Sequence, residues 1–166
     1  MGNRYIVMVG TAGAAAAIEI AAGNADVTEG RFPRFFLKQG ETLENIQKKL
    51  SEGIPGADTA EFCVDLAGKS ILMALWELGE VSGMGFEVIF ADIPISQFTI
   101  EITELFGLNP YEEKTGEGRL LVLEEPERIV AECRELGLPV AVIGKTNETK
   151  ARTAVTAEGV RYLNSK

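Results

Sequence analysis

Gly68-Lys69-Ser70 carries the residue types from which a phosphate contact is built, and it lies between a strand-like run and the clearest helical pattern in the chain. A P-loop needs a further glycine five residues before the one that precedes its lysine. Here that place is Cys63, inside the strand-like run, and residues 65–67 are too few to wrap a phosphate, so a Walker A motif is excluded. Two readings of Lys69 remain. Backbone N–H groups at a helix start, with the ammonium beside them, favour an anion. Alternatively, Lys69 is an ordinary solvated lysine in a first helical turn. Gly10-Thr11-Ala12-Gly13 is a second glycine turn between strand and helix, and glycine serves there either a phosphate or a tight turn. Asp65 ends its strand, where a carboxylate suits a metal or a ribose hydroxyl. Gly116 and Gly118 precede another strand and mark a close backbone approach.

Other chemistries are closed off. The chain has no histidine, which removes Ser-His-Asp and Cys-His catalysis and the histidine-containing zinc sets. Its two cysteines, Cys63 and Cys133, are too few for a thiolate metal site. Both read as buried structural thiols in a reduced, cytoplasmic setting. Glu112, Glu113, Glu117, Glu124, Glu125 and Glu127 read as a solvated face, and no carboxylate pair stands out as acid and base. No catalytic residue and no metal ligand is assigned. The net charge of −9 opposes nucleic-acid binding, which depends on clustered Lys and Arg. No apolar run reaches the roughly 20 residues of a membrane span.

The elements that must position these residues follow from periodicity. The 166 residues fit one domain. Residues 5–9, 61–66, 86–91, 119–123 and 139–143 read as strands, and two late segments, 151–156 and 160–163, pair antiparallel across Glu158-Gly159. Helices are expected from Ala14 to about Ala22, over 41–52 and 68–81, over 97–106 with Ser96 as cap, and after Glu125 with Pro126 in the first helical position. Residues 24–31 read as a polar loop. The aromatic stretch 32–36 reads as an irregular segment packed on the core or as a partner-binding patch. The alternation predicts an α/β (α+β) domain, one mixed sheet covered by helices.

Several segments together resemble the C-terminal domain of the aminoimidazole ribonucleotide synthetase (AIR synthase)-related proteins. They are Ala74-Leu75-Trp76-Glu77-Leu78-Gly79-Glu80-Val81-Ser82-Gly83-Met84-Gly85, Ile93-Pro94-Ile95, Leu105-Phe106-Gly107-Leu108-Asn109-Pro110, Gly116-Glu117-Gly118-Arg119-Leu120-Leu121-Val122 and Leu138-Pro139-Val140-Ala141-Val142-Ile143-Gly144, with residues 5–13 similar to the opening strand and turn. The resemblance runs through nearly the whole chain in order. It implies a single AIR synthase C-terminal-domain-like sandwich over residues 1–166, with the N-terminal ATP-binding domain absent. The family, which includes selenophosphate synthetase, thiamine monophosphate kinase and the hydrogenase maturation dehydratase, uses ATP to phosphorylate or activate a nucleophile or an amide oxygen. Most ATP and magnesium ligands lie in the N-terminal domain. The C-terminal domain adds a turn patterned His or Arg, Asp, Ser or Thr, Asp or Arg, Gly, Gly. In this chain only Asp65 matches that pattern. Val64 stands for the basic residue, Ala67 for the hydroxyl, and Lys69-Ser70 for the glycines.

The resemblance therefore implies a non-catalytic binding or assembly module. The alternative is one subunit of a split ATP-dependent phosphoryl-transfer enzyme. ATP and Mg would bind only with an N-terminal partner domain, and the expected partners are a second copy or a separate N-terminal AIR synthase-like domain. The phosphate or substrate contacts would be Asp65, Gly68, Lys69, Ser70, Gly10 and Gly13.

Overall fold

A computed structural model describes residues 3–163. Its centre is a seven-stranded mixed sheet ordered β2-β4-β1-β5-β3-β6-β7. The strands are β1 (Tyr5–Val9), β2 (Phe62–Asp65), β3 (Gly85–Ile89), β4 (Arg119–Leu123), β5 (Val140–Asn147), β6 (Arg152–Thr156) and β7 (Gly159–Tyr162). Every neighbouring pair is antiparallel except β3 with β6. The helices are α1 (Ala14–Gly23), α2 (Ala25–Arg31), α3 (Arg34–Glu52), α4 (Ile71–Ser82), α5 (Gln97–Leu105) and α6 (Glu127–Glu135). The α/β (α+β) expectation holds.

β1, and β4 after Arg119, are almost continuously apolar because both faces of the sheet are covered where they run. Ile6, Met8, Leu120 and Val122 point to α4 and pack with its Ile71, Ala74, Leu75 and Leu78. Val7, Val9, Leu121 and Leu123 point the other way and pack with Leu50 of α3 and with Ile129 and Cys133 of α6. A third cluster joins α1, α3 and α5 through Ala14, Ala17, Phe36, Leu43, Phe98 and Ile102. Among the described residues no helix is long and apolar enough to cross a membrane.

Several boundaries differ from the sequence reading. Residues 24–31 are not a loop, since Ala25–Arg31 is helical. The Thr28 hydroxyl donates back to the Asn24 and Ala25 carbonyls at 3.2 and 3.3 Å, and Thr28 itself is buried. Seven residues are too few to display a helical stripe, so docking decides the conformation. Helix α3 begins at Arg34 rather than Glu41, drawing the aromatic stretch into regular structure. There Phe36 stacks on Phe32 and Phe98 with ring centroids 4.6 and 5.6 Å apart. Pro126 is the N-cap of α6, one place earlier than expected. Of the two thiols, Cys133 is buried but Cys63 is exposed, because β2 is the edge strand next to β4.

Candidate functional site

The strand directions gather the candidate residues at one end of the sheet. Val9 pairs with Arg119 and Val140, and Asp65 also pairs with Arg119. The C-terminal ends of β1 and β2 therefore lie beside the starts of β4 and β5. Asp65, Gly68, Lys69 and Ser70 form a single turn between β2 and α4, while Gly10 and Gly13 form the turn between β1 and α1. The 110–118 segment ties the two together. Thr115 donates its N–H to the Lys69 carbonyl at 2.9 Å, and Leu66 donates to the Gly118 carbonyl at 3.0 Å.

The β1–α1 turn is occupied by the protein's own backbone. Ala15 and Ala16, in the first turn of α1, donate to the Thr115 and Lys114 carbonyls at 3.2 and 3.1 Å. Those N–H groups are the donors a phosphate would need. Gly13 has φ +65°, and a Cβ there would sit 2.8 Å from the Pro110 carbonyl oxygen. Close approach of the 110–118 segment thus accounts for the glycine. The expected approach at Gly118 is also present, against the Val9 carbonyl and Gly10.

In the β2–α4 turn every charged group has an internal partner. Asp65 accepts the Ala67 N–H at 2.9 Å on one oxygen and meets the Arg119 guanidinium at 2.6 Å on the other. Burial alone would raise the Asp65 pKa. The Ala67 N–H, Arg119 and Lys69 outweigh it and hold the carboxyl below its ordinary value. The Lys69 ammonium lies 2.8 Å from the Glu77 carboxylate and donates to the Asp65 carbonyl at 2.9 Å. Ser70 caps α4 by accepting the Met73 N–H at 3.1 Å. The positive end of the α4 dipole is thus the main anion-favouring feature, with Lys69 largely neutralised by Glu77. Among the described residues no group of three or more His, Cys, Asp or Glu is placed to hold a metal.

Three residues absent from the sequence reading shape this site. Arg119 neutralises Asp65 from the neighbouring strand, and only the β2–β4 register reveals it. Glu77 lies eight residues after Lys69, too far for a helical i,i+4 pair, and meets it because Lys69 sits in the turn before α4. Gln47 of α3 accepts the Glu117 N–H at 2.8 Å across 70 residues of sequence, and no local pattern marks it.

Two cavities flank the sheet ends. A groove of about 720 Å3 opens beside the first turn of α4, lined by Leu72, Phe90, Tyr111 and the β6–β7 hairpin. The larger cavity, about 830 Å3, is at the opposite end and is lined by Glu61, Glu124, Glu125, Glu127 and Glu132. Its acidity makes it a poor place for a phosphate, whatever its size.

No family model and no curated protein matches the chain. Solved structures do match. Escherichia coli HypE is 18% identical with a TM-score of 0.71, over 100% of this chain and 51% of that one. A HypE in complex with ATP is 16% identical with a TM-score of 0.71, over 99% of this chain and 51% of that one. Thiamine-monophosphate kinase from Stenotrophomonas maltophilia is 18% identical with a TM-score of 0.63, over 89% of this chain and 48% of that one. The chain shares the fold of these AIR synthase-related proteins, as the resemblance in sequence implies, and spans about half of their length.

Proposed function

We propose that the chain is a binding or assembly module of the AIR synthase-related type, working in the cytoplasm and doing no chemistry alone. The observation that carries this reading is the internal neutralisation of the β2–α4 turn. Lys69 is held by Glu77 and Asp65 by Arg119, and the α1 start is capped by the 114–115 carbonyls. A phosphate approaching this end would have to displace ion pairs the protein already makes. An N-terminal ATP-binding domain, in the same polypeptide or separate, would supply the remaining ATP and Mg ligands.

A second reading makes the chain one subunit of a split ATP-dependent phosphoryl-transfer enzyme. The groove beside the first turn of α4 favours it, because a nucleotide seated there would place its phosphates near the α4 dipole, Lys69 and Ser70. Calorimetric titration with Mg-ATP separates the two, run on the chain alone and with the N-terminal half of a HypE-type protein. The module reading expects no heat of binding from the chain alone, and saturable binding there overturns it. Under the second reading the mixture binds and Lys69→Ala weakens binding by about 1–3 kcal/mol. Absence of binding in both arms overturns the second reading.

A further inference from the structure

The groove beside the first turn of α4 is walled by aromatic rings. Two single-turn helical segments, Phe90–Asp92 and Pro110–Glu112, contribute one side of it. They set the Phe90 and Tyr111 rings 5.0 Å apart and tilted by 39°. Both rings are half-buried and pack against the core cluster of α4, so this wall is held from behind and open in front. The β6–β7 hairpin adds Tyr162, which is 71% exposed. Leu72 and Leu163 supply aliphatic surface between them. Aromatic faces of this kind are covered best by another flat ring, and about 720 Å3 suits a small molecule.

The charged groups select the ligand's chemistry. Glu112, Glu158 and Arg161 line the groove. Arg161 and Glu158 lie 3.6 Å apart and offset each other. Glu112 keeps its charge, because its hydrogen-bond partner among the described residues is neutral: the Asn109 side-chain amide donates to Oε2 at 3.2 Å. The amide oxygen of Asn109 accepts the Tyr111 N–H at 3.0 Å, so one residue fixes the carboxylate and the aromatic ring together. Oε1 of Glu112 remains free to accept. A carboxylate held in this way favours N–H donors and opposes phosphate. We infer that the groove binds a flat nitrogen heterocycle with adjacent N–H donors and no phosphate, the chemistry shared by guanine nucleosides and pterins. The ring stacks on Tyr111 and Tyr162, and its ring N–H and amino group meet the Glu112 carboxylate side by side. Adenine fits the same walls but sets a ring-nitrogen acceptor against the carboxylate. The inference is independent of the module reading and parts from the second reading, which brings phosphates to this end of α4.

Amide NMR titration of the full chain with guanosine, adenosine and GMP reads the site and the affinity together. Guanosine is expected to give saturable shifts within residues 89–91, 109–112 and 154–163, with a dissociation constant about tenfold below those of adenosine and GMP. Glu112→Gln keeps the shape and removes the charge, and should bring guanosine and adenosine to the same affinity. Tyr162→Ala, at an exposed position, should weaken both nucleosides by about tenfold. Phe35→Ala, exposed on α3 away from the groove, should leave every affinity unchanged. Absence of saturable shifts with guanosine overturns the proposal, as do shifts centred elsewhere in the chain, equal affinity for adenosine in the wild type, or a guanosine preference that survives Glu112→Gln. GMP binding as tightly as guanosine, with shifts at Lys69 and Ser70, overturns the exclusion of phosphate and supports the second reading. Saturable Mg-ATP binding by the lone chain with the guanosine response intact refutes the module reading and leaves this site standing.

Discussion

Replacing Gly118 with alanine tests whether close backbone packing, rather than a ligand, explains the glycines at this end of the sheet. Gly118 has φ +148°, and a Cβ there would collide with the Val9 carbonyl and approach the Leu66 Cδ1 to 2.9 Å and the Gly10 Cα to 3.4 Å. Holding a non-glycine residue in that backbone region costs about 1–3 kcal/mol. The Val9 carbonyl belongs to a central strand paired on both sides, so it cannot retreat cheaply, and overpacking adds about 1–3 kcal/mol. The expected loss of about 2–6 kcal/mol is a large part of the roughly 5–15 kcal/mol that holds a domain of this kind together. Gly68→Ala is the matched control. Gly68 also has a positive φ, +76°, but nothing lies within 4 Å of its added Cβ. Its left-handed cost of about 1–2 kcal/mol is partly offset by about 0.4–1 kcal/mol from a stiffer unfolded chain. Urea unfolding followed by the fluorescence of the single tryptophan, Trp76, reads both. With a slope of about 2 kcal/mol per molar urea, Gly118→Ala lowers the midpoint by about 1–3 M and Gly68→Ala by less than about 1 M. Equal shifts, or a Gly118→Ala loss below about 0.5 kcal/mol, would refute the packing account.

Two further outcomes follow from the titrating groups. The folded-state pKa of Asp65 is depressed, so its contribution is present above the unfolded value and fades as pH falls through the folded one. Asp65→Asn should flatten the acid limb of stability below about pH 4, and the flattening should be small, because the Asp65–Arg119 pair is largely solvated. A denaturation series from pH 7 to pH 2.5 measures this, and an unchanged acid limb contradicts the pairing. The thiols should separate kinetically. Burial and then Glu132 push Cys133 up to about 11, and Cys133 is fully enclosed while Cys63 is exposed. A disulfide reagent at pH 8 should therefore modify one thiol in the folded protein and two after denaturation, and equal rates in the folded protein would refute the assignment.

What could be read from the residues alone was whatever depends on neighbours in sequence. The apolar runs at 5–9 and 120–123, the helical stripe through Ile71, Leu75 and Leu78, the Ser96 cap and the Glu158-Gly159 hairpin are local patterns. Each appears in the structure within a few residues of its expected place. The short helix at 25–31 and the early start of α3 were not legible, because their stability comes from packing on other helices. Nor was the exposure of Cys63, since an edge strand and a central strand look alike until strand order is known.

The candidate site divides on the same line. Sequence by itself placed Asp65, Gly68, Lys69 and Ser70 at one strand-to-helix junction, though with the helix starting at Gly68 rather than Ile71, marked Gly118 as a close approach, and excluded Ser-His-Asp and Cys-His catalysis in a histidine-free chain. Only the tertiary structure decided that Lys69 faces Glu77, that Asp65 faces Arg119, and that carbonyls from the 110–118 segment occupy the α1 start. A charge's chemistry depends on which groups lie within a few ångströms of it. At this end of the sheet those groups come from β4, from far along α4 and from a loop a hundred residues beyond the first glycine turn.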